Sequence, residues 1–121
     1  MALPNEKFEE IKLKIQNFID SEMVAHEEDF NINHKFADHL EFLEEKRNLV
    51  REMGLFAPQI SKEHGGLGLS LHQLGQIYEI LGKTFYGLYV FNCQAPDAGN
   101  MEILIEHGSD YQKETFLNPL V

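Results

Sequence analysis

Apolar residues recur at helical spacing from the start of the chain. Phe8, Ile11, Ile15, Phe18 and Ile19 fall three or four residues apart, or side by side, with acids and lysines between them. That is the stripe an amphipathic helix needs to bury one face. Pro4 suits its first turn, because the N–H that proline lacks would be unpaired there. The pattern runs on to about Ala25. The acidic stretch His26-Glu27-Glu28-Asp29 then leads into Asn31 and Asn33, which predicts a loop with a solvated charge run. A second helix is predicted over about 35–53, with Phe36, Leu40, Leu43, Val50 and Met53 on one face. Glu44, Glu45, Lys46 and Arg47 fall largely outside that face. Gly54 is the expected stop, in the left-handed conformation that glycine adopts cheaply.

The stretch 54–82 contains a long connection and a third helix. Leu55, Phe56, Ile60, Leu67 and Leu69 give the connection something to bury, while Pro58 and the Gly65-Gly66-x-Gly68 cluster shape its backbone. Ser70 followed by Gln73 is a capping-box pattern. Leu71, Leu74, Ile77, Tyr78 and Leu81 form the stripe of the helix it opens. Gly75 inside that helix suggests close approach of a neighbouring helix, and Gly82 stops it.

Tyr86 to Cys93 is apolar nearly all round. Its length and aromatic content suit a strand, whereas the surrounding helices favour a central, well-covered helix. Pro96 disfavours helical geometry at Ala95, and Asp97 can cap the next helix, which carries Met101, Leu104 and Ile105 and stops at Gly108. Ser109 with Gln112 repeats the capping box and opens a last short helix with Phe116 and Leu117. No period-two pattern persists and no internal repeat is visible. The expected class is all-α, an orthogonal or up-down domain of five to six helices.

Composition narrows the setting. With 121 residues, 43% hydrophobic and 25% charged, the chain suits one domain with one core. No apolar run approaches the roughly 20 residues of a membrane span, and MALPNEKFEE has no signal or transit layout. The net charge of −10 is spread along the chain, and no basic stripe exists to neutralise phosphates, so nucleic acid and anionic membranes are disfavoured. The single cysteine, Cys93, excludes an internal disulfide and fits a reducing compartment, so a cytoplasmic location is expected.

Candidate chemistry is sparse. The six histidines are His26, His34, His39, His64, His72 and His107. They form no metal-binding pair of known spacing and are expected at the surface or at helix ends. His64-Gly65-Gly66-Leu67-Gly68 lacks the lysine and the preceding strand of a phosphate-binding loop, so a structural turn is expected. Cys93 reads as a buried small hydrophobe. No carboxylate stands out as a general base. No catalytic, cofactor-binding or metal-binding residue is assigned.

Several motifs nevertheless match a family. Arg51-Glu52-Met53-Gly54-Leu55-Phe56-Ala57-Pro58, then Ile60 and Glu63-His64-Gly65-Gly66-Leu67-Gly68-Leu69-Ser70, resemble the amino-terminal domain of acyl-CoA dehydrogenases. So do Glu79-Ile80-Leu81-Gly82 and Gly108-Ser109-Asp110-Tyr111-Gln112-Lys113, the latter followed by Phe116-Leu117 and Pro119-Leu120. The segment from Phe91 to Glu102 resembles the subgroup whose animal members carry a fused kinase-like domain. The likeness covers nearly the whole chain.

The resemblance implies a three-part parent: an all-helical amino-terminal domain, here 1–121, then a middle β domain and a carboxy-terminal helical bundle, both expected to be absent from this chain. It implies an FAD-dependent enzyme that converts acyl-CoA to 2,3-enoyl-CoA and passes electrons to a transfer partner. The flavin and the catalytic glutamate belong to the other parts, so this chain alone is expected to be inactive and free of FAD. What carries over is the lining of the acyl pocket, at Val90, Phe91, Gln94, Ala95 and Ala98; simple packing between helices is the plainer role for the same residues. Apolar surface within 86–101 is expected to be uncovered, which allows a homo-oligomer. Two other roles are open: a free-standing helical interaction module, and a subunit completed by a partner chain.

Overall fold

The computed structural model describes residues 2–30 and 34–121; the loop expected at Asn31 and Asn33 lies outside them. The described residues hold six α-helices, short 3-10 and π-type turns, and no strand. Helix α1 (Asn5–Phe18) buries Phe8, Ile15 and Phe18. Pro4 sits just before it with extended backbone rather than inside its first turn, and its carbonyl accepts from Phe8 N at 2.9 Å. The coil widens to a π-type turn over Ile19–Met23, burying Ile19 and Met23, and tightens to a 3-10 helix over Val24–Asp29. The acidic stretch expected as loop is therefore helical.

The second predicted helix divides into a 3-10 turn, Phe36–His39, and α2 (Leu40–Glu52). Its buried face corrects the expected one. Leu43, Lys46, Arg47 and Val50 face inward, whereas Phe36, Leu40 and Met53 are each about two-fifths exposed. Positions 43, 46, 47 and 50 share one helical stripe, so the register favoured inward-facing Lys46 and Arg47 despite their charge. Their stems pack inside while their heads find partners. Lys46 Nζ lies 2.7 Å from a Glu22 carboxylate oxygen and 4.9 Å from the centre of the Phe42 ring.

Gly54 ends α2 at the left-handed φ of 71°. The connection that follows is built, with Leu55, Phe56, Ala57 and Ile60 buried and a 3-10 turn at Lys62–His64. Gly66 is the position with no room for a side chain: a Cβ there would lie 2.0 Å from the Ile60 carbonyl oxygen.

Helix α3 (Leu71–Leu81) opens on the Ser70–Gln73 capping box, both halves of which are formed. Gln73 reaches further than the box. Its Oε1 accepts from Leu3 N at 3.2 Å and its Nε2 donates to Leu3 O at 2.8 Å, so one amide pins the N-terminal segment. Leu71, expected in the stripe, is 86% exposed: it is the first residue of the helix. Gly75 does not mark a close helix approach, since a Cβ there would meet nothing within 4 Å.

The apolar segment 86–93 is helical for a single turn, α4 (Gly87–Val90). Helix α5 (Asp97–His107) follows with Pro96 at its cap position, so Asp97 lies in the first turn and does not cap it. Of its eleven residues only Met101 is buried. Ser109 and Gln112 complete their capping box at α6 (Asp110–Gln112), which runs into a π-type turn, Lys113–Leu117. Leu117 is buried and Phe116 exposed. Helix α1 packs on α3, α2 on α4 and α3 on α4, while α5 packs chiefly on the Lys113–Leu117 turn. At the centre the Phe18 and Phe91 rings meet edge to face, centroids 5.5 Å apart. Among the described residues no helix is long and apolar enough to cross a membrane.

Candidate functional site

The five candidate residues occupy the end of α4, the turn after it and the start of α5, and the structure sorts them into two sets. Val90 and Phe91 are fully buried and belong to the core. Gln94 and Ala98 are half-buried and Ala95 is exposed. Val90 and Phe91 precede the turn and join the core, whereas Gln94, Ala95 and Ala98 keep part of their surface open.

Local structure explains how the turn is held. The Ala95–Pro96 peptide is cis. Ala98 N donates to Gln94 O at 3.0 Å, and Gln94 Nε2 to Asp97 Oδ2 at 3.3 Å, while Gln94 Oε1 is buried without a partner. Phe91 O accepts from Ala57 N at 2.9 Å. Asn92 is fully buried at a φ of 60°; its carbonyl accepts from Gln59 Nε2 at 2.9 Å.

Cys93 lies in the same turn, 3.3 Å from Gln59 Oε1. Burial pushes its thiol up to about 12, which removes thiolate at neutral pH and with it nucleophilic character. The expectation of a buried, inert cysteine agrees with this.

A buried guanidinium, which the sequence did not single out, braces α4 from behind. Arg47 donates to the Tyr89 carbonyl, sits 4.4 Å over the Tyr89 ring and 4.9 Å over Phe56. Its Nε lies 3.4 Å from Glu44, too poorly aligned for a hydrogen bond. Burial lowers its basicity, but a guanidinium keeps its charge through neutral pH. Glu44 also accepts from the Tyr89 hydroxyl at 2.8 Å. Arg47 was read as outside the buried face; its i,i+3 and i,i+4 spacing to Val50 and Leu43, both buried with it, is the one signal that could have found it. Asn92 and Gln59 had no signal beyond asparagine's tolerance of left-handed backbone.

Other chemistry is limited. His39 stands at a helix end, as the N-cap residue of α2, but is buried rather than at the surface: it is 9% exposed, its ring meeting those of Phe30 at 5.3 Å and Tyr86 at 5.9 Å. A cleft of about 600 Å³ beside it is lined by Glu28, Asp29, His34, Asp38 and His39. A smaller one of about 300 Å³ runs between α1 and α3 over Lys12, Leu13, Gln16 and Ile80. Neither touches the Val90–Ala98 turn. Among the described residues no three His, Cys, Asp or Glu side chains gather as a metal site.

Comparison with known proteins gives this arrangement its context. The family model described as "Acyl-CoA dehydrogenase, N-terminal domain" matches residues 5–121. The human protein named Acyl-CoA dehydrogenase family member 11 is 33% identical over 125 residues, covering 95% of this chain and 15% of the relative. Mouse Acyl-CoA dehydrogenase family member 10 is 37% identical over 84 residues, covering 68% of this chain and 8% of the relative. These animal proteins are the subgroup anticipated from the Phe91–Glu102 segment. A solved structure of a protein from Mycobacterium abscessus matches with a TM-score of 0.76 at 29% identity, over 98% of this chain and 32% of that one. The chain thus spans well under a third of its curated relatives' length in both animal matches. On the family model, the relatives and the shared helical fold together, the chain belongs to the acyl-CoA dehydrogenase family, whose N-terminal domain it matches.

Proposed function

We propose that the chain acts as the N-terminal domain of an FAD-dependent enzyme that oxidises acyl-CoA to 2,3-enoyl-CoA, and that the Gln94–Ala98 turn forms part of the wall around the acyl chain. The observation that carries the second half is the contrast in burial along the turn: the small side chains Ala95 and Ala98 keep open surface, and Val90 and Phe91, just before them in the chain, are packed at zero exposure. A wall of that kind leaves room for an alkyl chain and keeps water from it. The packed core stops the wall from collapsing into the space.

The glycine loop offers no ready phosphate cradle, since the N–H groups of Gly65, Gly66 and Gly68 donate to the carbonyls of Lys62, Ser61 and Ile60. On this proposal the cofactor, the catalytic base and the contacts to an electron-transfer partner lie in other parts of the protein, and this domain contributes enclosure. A subunit or domain that docks against further protein also suits the exposed Phe85, at 70%, and Ile103, at 61%. A free-standing interaction module would use the same surface. A cytoplasmic setting remains the expectation for the whole protein.

The test uses the protein that contains this domain, assayed with saturated acyl-CoA thioesters of increasing length. Ala95→Leu and Ala98→Leu each add bulk to the wall. The expected outcome is a loss of kcat/KM of about tenfold or more for long acyl chains with short ones little changed, as filling a pocket costs roughly 1–3 kcal/mol. An unchanged chain-length profile in both variants would remove the turn from the pocket.

A further inference from the structure

The turn that carries Gln94, Ala95 and Ala98 is tied to the C-terminal segment by one side chain. Asn92 is fully buried at a φ of 60°, a conformation that glycine reaches at lower cost. What glycine could not supply is the carboxamide. Asn92 Nδ2 donates to the Leu120 carbonyl at 2.7 Å. Its Oδ1 is buried and unpaired, so the amide is held for its donor side at the expense of its acceptor.

Three separate segments meet here. The loop 55–60 grips the turn through Ala57 N on Phe91 O, at 2.9 Å, and through Gln59 Nε2 on Asn92 O, also at 2.9 Å. Leu117–Val121 joins through Leu120. Val121 lies beside the glycine loop, its Cγ1 3.4 Å from where a Cβ on Gly65 would stand.

We propose that Asn92 is a positioning residue: its side chain sets the placement of Leu117–Val121 and of the Gln94–Ala98 turn together. That the turn so placed faces an acyl chain rests on the function proposed above; the coupling itself does not. Strain at residue 92 and an unsatisfied oxygen are then the local cost of joining the two segments at a second point, beside the packing of α5 on Lys113–Leu117.

The experiment is site-resolved amide hydrogen exchange on the 121-residue chain, without substrate. Asn92→Gly keeps the left-handed backbone available and removes only the tie. Exchange is expected to quicken about tenfold at Ala98, Leu120 and Val121, the scale of one lost hydrogen bond. Gly82 and the amides of α1 should be unaffected. Asn92→Asp supplies the discriminating readout, because a carboxyl can donate to Leu120 O only while protonated. Relative to wild type at each pH, its exchange at those three amides should match wild type below the carboxyl's pKa and be at least as fast as in the glycine variant above it.

Ionising a carboxyl at a merely space-filling position would instead loosen the packed core as a whole, α1 and α3 included. Uniformly faster exchange in α1 and α3 of the glycine variant would make Asn92 an ordinary core residue, and no change at Ala98, Leu120 and Val121 would remove the tie. Should the aspartate variant fail to fold, the pattern in the glycine variant still decides. Failure of the acyl-wall proposal would appear in the chain-length assay and leave these rates unchanged.

Discussion

Cys93 and Tyr78 are held neutral by the fold. Burial moves the Cys93 thiol from an ordinary value of 9 up to about 12, and the Tyr78 hydroxyl from 10 up to about 12, chiefly by burial. Both shifts are upward on groups that become anionic. The folded chain therefore keeps protons that the unfolded chain releases, and stability falls as pH rises. The stabilisation is complete below about pH 9, where the unfolded thiol still holds its proton, and is lost progressively as pH rises to about 12. Urea midpoints across that window should decline, and Cys93→Ala should decline less steeply; equal slopes would mean that the thiol is not the group titrating. Some residues of this kind were legible in the sequence. Cys93 was, because an apolar run surrounds it. His39 and Lys46 were not, because their burial depends on Phe30, Tyr86 and Glu22, which are brought to them only by the fold.

Helix boundaries were the most legible elements, for a short-range reason. Ser70 with Gln73 and Ser109 with Gln112 satisfy backbone groups three residues away, so the sequence alone contains both partners. The same box at α3 then does something that spacing could not reveal. Gln73, 6% exposed, bonds Ser70 N at 3.1 Å and both backbone groups of Leu3, joining sites 70 residues apart. Ser70→Ala removes a cap, a loss of about 1 kcal/mol. Gln73→Ala removes three bonds and leaves the buried groups of Leu3 unpaired, a loss of roughly 2–3 kcal/mol. Chemical unfolding should rank the variants in that order, with backbone exchange at Leu3 rising only in the second; the reverse ranking would show that the N-terminal segment is held by packing alone. The candidate site was legible by another route. Its five residues came from likeness to a family, not from periodicity, and the Arg47 brace and the Asn92 tie escaped because each joins positions distant in sequence.

Over the whole molecule, burial is unevenly distributed. Helices α1, α2 and α3 each place three or four side chains in the interior. Helix α5 places one, Met101, along eleven residues, and its remaining apolar side chains are half-buried or, like Ile103, 61% exposed. The hairpin that α5 makes with Lys113–Leu117 is anchored by Met101, Leu117 and the Asn92–Leu120 bond. Such a region opens at lower free energy than the body it rests on. The chain should accordingly come apart in two stages, the tail first. Brief trypsin treatment of the folded protein is expected to cleave after Lys113 well before it reaches Lys12 or Arg47 inside the tightly packed part, leaving a large resistant fragment. Simultaneous cleavage at all three would show that the molecule loosens as a single unit, and that so lightly anchored a helix borrows its rigidity from the rest.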